Sequence, residues 1–252
     1  MTLGGEKTVN MKKWDYAADS WSDFVESRKD SGKIVIVPGI LKLLPKGTGK
    51  GKRALDVCCG EGYYARILQK LGYQASGVDI SKRMITIARK KSRGIDYHCA
   101  DAAKMDFLTS NSFDLVVCSM GLLDTPDLDG TLRAVRRVLK KGRYFVLSIV
   151  HPCFDRPRIG SWERDGEGRK LHFKIDNYMK EETLVNNWNM KRLKYPFETN
   201  SYHRTLSTYV NALIANNLKI DQIHEPCVRD DGEIDEEEFR VPNFLIVRCV
   251  KG

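Results

Sequence analysis

Short apolar runs alternate with amphipathic stretches through the middle of the chain. The amphipathic stretches place apolar side chains on one helical face and predict helices at residues 63–71, 81–91 and 128–139. Ser81 is expected to cap the second of these helices and Gly142 to terminate the third. Strands that alternate with helices at this spacing predict a parallel sheet with helices on both faces. The apolar runs that predict its strands are residues 54–58, 74–79, 95–99, 113–119 and 144–150.

The pattern changes on both sides of this region. Residues 11–31 carry aromatic side chains at roughly helical spacing, which predicts a helix or a flap over a site. Residues 34–45 predict a further helix that begins near Pro38. Residues 151–203 are rich in aromatic side chains but have no clean period, so they predict an insertion with short helices that caps the sheet. The last elements predicted are a helix at 205–216 and strands at 219–224 and 243–250.

Composition narrows the class of protein. The 252 residues are 42% apolar, yet no apolar run approaches the ~18 residues of a membrane-spanning helix. The N-terminus has no apolar stretch of the kind found in secretory signals. The seven Cys show no CxxC spacing, so neither a disulfide framework nor a metal site is expected. We expect a cytoplasmic, globular protein, a monomer or homodimer, without a membrane partner.

The charge is positive and unevenly distributed. The chain has 42 Lys and Arg against 33 Asp and Glu, a formal charge of +9. Seven of the acids lie at residues 230–238, and without them the charge would be +16. A surplus of this size is compatible with nucleic acid, with an acidic small molecule or with no specific partner.

The most informative stretch is LDVCCGEGY, residues 55–63. A strand that ends in a glycine turn and opens a helix presents backbone N–H groups to a ligand. Asp79 ends the next strand, 23 residues after Asp56, and an acid there commonly binds ribose hydroxyls. A dinucleotide fingerprint would need glycines at 58, 60 and 63, where the chain has Cys58, Gly60 and Tyr63. These residues favour a nucleoside-containing cofactor without a bound pyrophosphate.

At these residues the sequence resembles the class I S-adenosylmethionine-dependent methyltransferases. The first motif of that family, L-D-x-G-x-G-x-G, is matched from Leu55 to Gly62, with Cys58 where glycine is usual. Three more motifs follow in order at residues 77–81, 99–102 and 112–120, and RVLKKGR at 137–143 resembles the helix end before strand five. The resemblance implies an α/β, Rossmann-like fold with a seven-stranded, mostly parallel sheet, an antiparallel final strand and a cap inserted after strand five.

The resemblance also implies roles for individual residues. Asp56 would orient the methionine ammonium and Asp79 would accept from the ribose hydroxyls, while Asp101 would accept from the adenine amine. Cys58 is expected to tighten the turn and to alter the position in which the methionine moiety binds. The other cofactor contacts implied are the backbones of Gly60 and Gly62, Ile80 and Met84 against adenine, the Ala102 N–H, the Ser119 and Met120 carbonyls, and Tyr16 as a lid.

The resemblance divides one domain into four segments. Residues 1–48 would form a helical flap or lid, and residues 49–150 the core that binds S-adenosylmethionine. Residues 151–203 would form a substrate cap. Residues 204–252 would supply the helix and strands that complete the core.

The methyl acceptor is expected at the same edge of the sheet, where ligands bind in open α/β folds. His151 directly follows strand five and is a candidate general base or substrate contact. HPCF at 151–154 resembles a subset of small-molecule methyltransferases, including those acting on heterocycles and quinone-like substrates. All four Trp lie outside the cofactor core, which favours a small, planar or aromatic acceptor. The other acceptor contacts predicted are Trp21, Tyr63, Leu123, Trp188, Tyr202 and His203.

Two other functions compete with this one. Basic clusters at residues 89–93 and 136–143 are compatible with an RNA methyltransferase. Both clusters fall in or after helices predicted to cover the sheet, and SMGL follows strand four in place of the N/D-P-P-aromatic element of base-amino methyltransferases. Nucleic acid is therefore the less favoured partner. Because Cys58 replaces a glycine of the motif, a non-catalytic regulatory protein that binds S-adenosylmethionine is a third hypothesis for the function.

Overall fold

The computed structural model describes residues 2–26, 31–155, 159–226 and 240–252. The helices in these ranges are α1 (Leu3–Glu26), α2 (Ser31–Leu43), α3 (Tyr63–Lys70), α4 (Lys82–Lys91), α5 (Leu128–Val138) and α6 (Leu206–Ala215). The strands are β1 (Arg53–Val57), β2 (Gln74–Asp79), β3 (Asp96–Cys99), β4 (Phe113–Ser119), β5 (Leu139–Val150), β6 (Gly160–Arg164), β7 (Lys170–Ile175), β8 (Glu182–Trp188), β9 (Phe197–His203), β10 (Leu218–His224) and β11 (Phe244–Lys251).

Seven of these strands form one sheet in the order β10-β11-β5-β4-β1-β2-β3. The first five strands of the sheet in chain order pair in parallel, whereas β11 runs antiparallel to both β5 and β10. The α/β fold with a mostly parallel sheet and an antiparallel final strand is thereby confirmed. The final strand lies inside the sheet, between β5 and β10, because β10 occupies the edge.

Apolar side chains alternate between the two faces of the sheet. Phe145 and Leu147 of β5 pack with the apolar face of α5 in one cluster. Val146, between them, packs on the other face with Ile36 and Ile40 of α2. Because both faces are covered, the central strands are buried throughout and ligands reach the sheet at its edges.

Local capping explains where the helices begin. The Ser81 side chain accepts a hydrogen bond from the Met84 N–H, which confirms the predicted cap of α4. Asp127 does the same for α5 through the Gly130 N–H. The bounds predicted for α5, residues 128–139, are confirmed to within one residue, but the role predicted for Gly142 as the residue that terminates it is wrong. α5 ends at Val138, since Leu139 already pairs with Phe113 of β4, and Gly142 lies in an irregularity of β5 before Tyr144 resumes the pairing.

Two further predictions need correction. α2 begins at Ser31 and carries Pro38 in its interior, because its apolar run packs as one helical face against the sheet. The insertion was expected to contain short helices, but it forms two hairpins, β6–β7 and β8–β9. Within residues 151–155 and 159–203, the part of it that the structure describes, only a 3-10 turn at Pro152–Phe154 is helical. Paired aromatic residues such as Trp188 and Phe197 hold the second hairpin.

α1 lies against α4 and β9 and covers the edge of the sheet where β1 to β4 end. Among the helices described, none is long and apolar enough to cross a membrane. The acidic run at 230–238 falls outside the described residues.

Candidate active site

The loops that follow β1, β2, β3 and β4 converge on a cavity of about 770 Å³. A volume of this size lies within the ~300–1,000 Å³ typical of small-molecule sites. α1 and the β8–β9 hairpin contribute most of the remaining walls, with single residues from α2, β5 and β11. Candidate cofactor residues and aromatic residues from α1 and the cap therefore line one cavity.

The turn after β1 exposes backbone to this cavity. Gly60 adopts a left-handed conformation (φ 51°), and a Cβ there would find no atom nearer than Met84 Sδ at 4.0 Å. A side chain would therefore extend into open space that a ligand can use. Gly62 has a different role, since it does not line the cavity and a Cβ would lie 2.2 Å from the Tyr97 hydroxyl oxygen. Glycine is required there for close packing and for φ 82°.

Cys58 occupies the position at which the family motif has glycine, with φ 57°. Its side chain has room because Gly121 faces it: a Cβ on Gly121 would lie 2.4 Å from the Cys58 Cβ. A hydrogen bond with Cys118 and burial both raise the pKa of the Cys58 thiol, so the thiol is neutral. The sequence contains the compensating Gly121, but only the fold brings it against Cys58.

Asp79 at the end of β2 is held by two backbone donors. Its Oδ2 accepts from the Gly60 N–H at 2.8 Å, and its Oδ1 accepts from the Ser81 N–H at 2.9 Å. Burial raises the pKa of Asp79 to about 6, although these two hydrogen bonds oppose the shift. A carboxylate has about four lone-pair sites, so both oxygens can accept further hydrogen bonds from a ligand. Ile80 and Met84 line the adjacent wall.

Asp56 ends its strand facing the same cavity. Its Oδ2 accepts from the Ala65 N–H at 2.9 Å, and burial raises the pKa of the carboxyl well above its usual range. Ser119 and Met120 follow β4 and also line the cavity, and the Met120 N–H donates to the Ser148 carbonyl at 2.9 Å.

Asp101 is shared between its own loop and α1. Its Oδ1 accepts from the Ala103 N–H at 2.9 Å, and its Oδ2 lies 2.8 Å from Lys7 Nζ. Lys7 also lies 3.1 Å from Asp127 Oδ2. Burial lowers the pKa of Lys7, but the two carboxylates outweigh it and raise the pKa, so Lys7 stays charged. Ala102 lines the cavity beside this group.

Sequence reasoning missed Lys7 and Asn10. Both belong to the first half of α1, whereas the aromatic spacing predicted a helix only from residue 11. The signal available in the sequence was their separation of three residues, which places both on one face once the helix is known to begin at Leu3.

Four aromatic side chains form one wall of the cavity, named here the aromatic wall: Trp14, Trp21, Phe24 and Trp188. The Trp21 ring centroid lies 5.6 Å from those of Trp14 and Phe24 and 5.2 Å from that of Trp188. The Trp188 indole N–H donates to Thr199 Oγ1 at 2.9 Å, which fixes its ring. The predicted acceptor contacts Tyr63 and Leu123 line the cavity as well.

The structure places five predicted site residues outside the cavity lining: Gly62, described above, and Tyr16, Tyr202, His203 and His151. Tyr16 is 60% exposed and its ring packs on Tyr195, 5.2 Å away. Tyr202 is buried, and burial raises its pKa to about 12. His203 is buried too, with its Nε2 2.8 Å from the Tyr178 carbonyl.

His151 also lies outside the cavity lining. It is buried behind the cavity, and both ring nitrogens are engaged: Nδ1 accepts from the Cys153 N–H at 3.2 Å and Nε2 lies 2.9 Å from Glu225 Oε1. Burial lowers the pKa of His151, although Glu225 opposes the shift. The ring therefore has the geometry of a neutral imidazole that donates from Nε2 to Glu225.

These features define a class of protein. An open α/β sheet with a glycine turn after β1, an acid at the end of β2 and an acid after β3 is a site for a nucleoside-containing cofactor. The cavity residues fit S-adenosylmethionine, because buried carboxylates and backbone carbonyls suit a ligand with an ammonium, a sulfonium and ribose hydroxyls. The amide oxygen of Asn10, buried at the cavity wall without a hydrogen-bond partner among the described residues, offers a further acceptor.

Comparisons with known proteins identify the family. Residues 55–147 match the methyltransferase-domain family. The chain is 32% identical to an S-adenosylmethionine-dependent methyltransferase of Mesorhizobium loti, over 84% of this chain and 96% of that one, with a TM-score of 0.69. This chain belongs to the class I S-adenosylmethionine-dependent methyltransferases, and its cofactor is S-adenosylmethionine.

Two relatives carry more specific names. A ubiquinone biosynthesis O-methyltransferase of Aromatoleum aromaticum is 27% identical over 58% of this chain and 64% of its own length. A demethylmenaquinone methyltransferase of Staphylococcus aureus is 36% identical over 38% of this chain and 42% of its own length. In both cases the match spans less than two thirds of the relative.

Proposed function

We propose that this protein transfers a methyl group from S-adenosylmethionine to a small, planar, aromatic acceptor that binds against the aromatic wall. The observation that carries the proposal is the shared cavity, in which Trp21 and Trp188 face the same space as Asp79 and Gly60. Flat apolar walls with a few polar groups suit a ring bearing one or two hydroxyl or carbonyl groups. The names of the two quinone-pathway relatives support the same class of acceptor.

The charges around the aromatic wall favour an uncharged acceptor. Glu61 lines the cavity, but Arg66 contacts both of its carboxylate oxygens at 2.9 Å and Lys91 lies 2.8 Å away. The polar side chains that the β8–β9 hairpin adds to the cavity, Asn186, Asn187 and Thr199, are neutral. An ionised acceptor would have little to pair with in this part of the cavity.

The residue roles implied by the family resemblance form part of this proposal. Asp79 would hold the ribose and Asp56 the ammonium, and Asp101 would accept from the adenine amine. When bound, S-adenosylmethionine supplies an electrophilic methyl group on a positively charged sulfur. The chain's own contribution is to orient the acceptor atom toward that methyl group, which can provide most of the rate enhancement of a displacement at carbon.

The placement of His151 bears on how the acceptor loses its proton. Because both of its nitrogens are engaged and it does not line the cavity, we propose that the acceptor gives its proton to solvent and not to His151. An acidic phenol, enol or quinol fits this requirement, since a small fraction is already ionised near neutral pH.

One arginine from each basic cluster that suggested RNA binds backbone carbonyls of the fold. Arg89 donates to the Tyr97 carbonyl at 2.5 Å, and Arg137 donates to the carbonyls of Leu108 and Met105 at 2.8 and 2.6 Å. Side chains engaged in this way are poorly placed to bind phosphates, so RNA remains the less favoured acceptor.

A labelled-methyl assay tests the proposal. The protein is incubated with S-adenosylmethionine tritiated on the methyl group and with a panel of phenols, catechols and quinols, or with total RNA. We expect tritium in an organic-extractable product and a rate that falls at least tenfold in Trp21→Ala. Tritium in RNA alone would overturn the small-molecule assignment. Binding of S-adenosylhomocysteine without transfer to any acceptor would favour the regulatory protein.

A further inference from the structure

Asn10 of α1 has a buried oxygen that the folded chain leaves without a hydrogen bond. The residue is 4% exposed, and its Oδ1 has no partner among the described residues. Asn10 lines the cavity. An unpaired buried acceptor costs free energy, so such groups in native proteins commonly await a ligand or water.

The orientation of this amide is determined by its other end. Nδ2 of Asn10 donates to the carbonyl of Asp124, in the turn that follows β4. A reversed amide would place two oxygens against each other, so the contact with Asp124 assigns which atom is the oxygen. Oδ1 therefore remains the acceptor that is free to receive a donor from the cavity.

The neighbours of Asn10 indicate which part of the cofactor lies beside it. Lys7 is three residues earlier, on the same face of α1, and its Nζ lies 2.8 Å from Asp101 Oδ2. Asp101, which follows β3, is the proposed partner of the adenine amine, whereas the proposed partners of the ribose and the ammonium, Asp79 and Asp56, belong to β2 and β1. Asn10 thus belongs to the adenine end of the cavity.

We propose that Asn10 is a cofactor-binding residue whose side-chain oxygen accepts a hydrogen bond from the exocyclic amine of adenine. That amine carries two N–H donors. Asp101 takes one of them, and Asn10 takes the other from the side of α1. The inference rests on the proposed placement of the cofactor, and it makes the N-terminal helix a part of the site that distinguishes adenine from a 6-oxopurine.

The test compares S-adenosylhomocysteine with S-inosylhomocysteine, in which a carbonyl oxygen replaces the amine. Dissociation constants of both are measured by calorimetry for the wild-type protein, Asn10→Ala and Asn10→Leu. We expect the wild-type protein to prefer S-adenosylhomocysteine and each variant to lose about tenfold of that preference, the value of one hydrogen bond in a buried site. Because the ratio is taken within one variant, a loss of folded protein cancels.

Ser20→Ala is the matched control. Ser20 is also buried on α1, where its hydroxyl donates to the Tyr195 carbonyl at 2.9 Å, and it does not line the cavity. This variant weakens the attachment of α1 without removing an acceptor from the site, so its preference should equal that of the wild-type protein. An unchanged preference in both Asn10 variants would overturn the inference alone. A wild-type protein that binds neither compound would overturn the proposed cofactor placement and the inference with it.

Discussion

At the level of single residues, the Asp79 carboxylate determines how cofactor binding depends on pH. Burial raises its pKa to about 6, far above the ordinary value near 4. The ionised form accepts hydrogen bonds from ribose hydroxyls, and protonation removes part of that acceptor capacity. The affinity for the cofactor should therefore be highest well above pH 6 and decline as the pH falls through that value.

Calorimetry of S-adenosylhomocysteine binding between pH 5 and pH 8 checks this prediction. We expect affinity to weaken several-fold from pH 7 to pH 5 in the wild-type protein. Asp101→Asn should keep this dependence, while Asp79→Asn should bind weakly and lose the part of it centred near pH 6; the Asp56 carboxyl, whose pKa is also raised, remains in that variant. A wild-type affinity that is flat across the range would contradict the role given to Asp79.

Cys58 and Gly121 provide a second residue-scale prediction. A Cβ on Gly121 would lie 2.4 Å from the Cys58 Cβ, so Gly121→Ala should destabilise the protein by about 1–3 kcal/mol. The same change in a Cys58→Gly background should cost clearly less, although Cys118 Sγ at 3.0 Å from that Cβ keeps some of the clash. Urea unfolding of the four proteins measures the coupling, and additive effects would show that the two positions do not interact.

His151 illustrates how position along the chain and position in space differ. Its ring bonds Cys153 and Glu225 and packs on Phe154, 4.7 Å away, so we expect His151→Ala to lower the melting temperature by several degrees. Turnover of the folded variant should stay within about threefold of wild type. A loss of 10²-fold or more at unchanged stability would instead assign His151 the role of a general base.

At the level of elements, α1 is tied to the cofactor loops by polar contacts. Asp15 accepts from the Ser81 hydroxyl at 2.6 Å and from the Arg83 N–H at 3.0 Å. Asp19 contacts the Arg83 guanidinium at 2.7 and 2.9 Å. Because α1 also forms a wall of the cavity, we infer that this helix must shift before the cofactor can leave.

Asp15→Ala should therefore raise the dissociation rate of the cofactor, with only a small effect on the free energy of unfolding. We expect a several-fold rise in the dissociation rate of S-adenosylhomocysteine, followed by stopped-flow fluorescence of the tryptophans at the cavity wall. Glu198→Ala is the control, because it removes only an exposed contact at 3.4 Å between β9 and Lys13 of the same helix. Equal dissociation rates in Asp15→Ala and wild type would show that α1 does not limit release.

The pattern of apolar and polar residues was sufficient to predict most of the helices and strands of the core. The helices and strands from β1 to β11 that form or cover the sheet were predicted to within about two residues, except that β5 begins five residues earlier than predicted, because periodicity reports burial on one or both faces. The insertion was not, since half-exposed hairpins such as β6–β7 bury too few side chains to create a clear period. Gly142 does not terminate α5 as predicted, for a related reason. Leu139 pairs with Phe113 of β4, so the helix has ended before the local signal at Gly142 is reached.

At the scale of the whole molecule, the positive charge is partly structural. Arg137 donates to the Leu108 carbonyl in the loop between β3 and β4, and Lys251 donates to the Leu139 carbonyl at the start of β5. Lys91 joins α4 to Glu61 and Glu26. These contacts use cations to connect loops around the sheet. The net charge of +9 is thus a poor guide to the acceptor, which the aromatic wall indicates more directly.

The sequence by itself determined the α/β class, the order of the core elements and the positions of Asp56, Asp79 and Asp101, because each depends on local periodicity or on a motif a few residues long. Only the tertiary structure decided that Lys7 and Asn10 reach the cofactor cavity, that Trp14 and Phe24 join Trp21 and Trp188, and that Tyr16, His151, Tyr202 and His203 lie outside the cavity lining. Those outcomes depend on the angle at which α1 and the cap hairpins pack over the sheet. That angle arises from contacts between residues that are some 60 to 180 positions apart, and no local pattern encodes it.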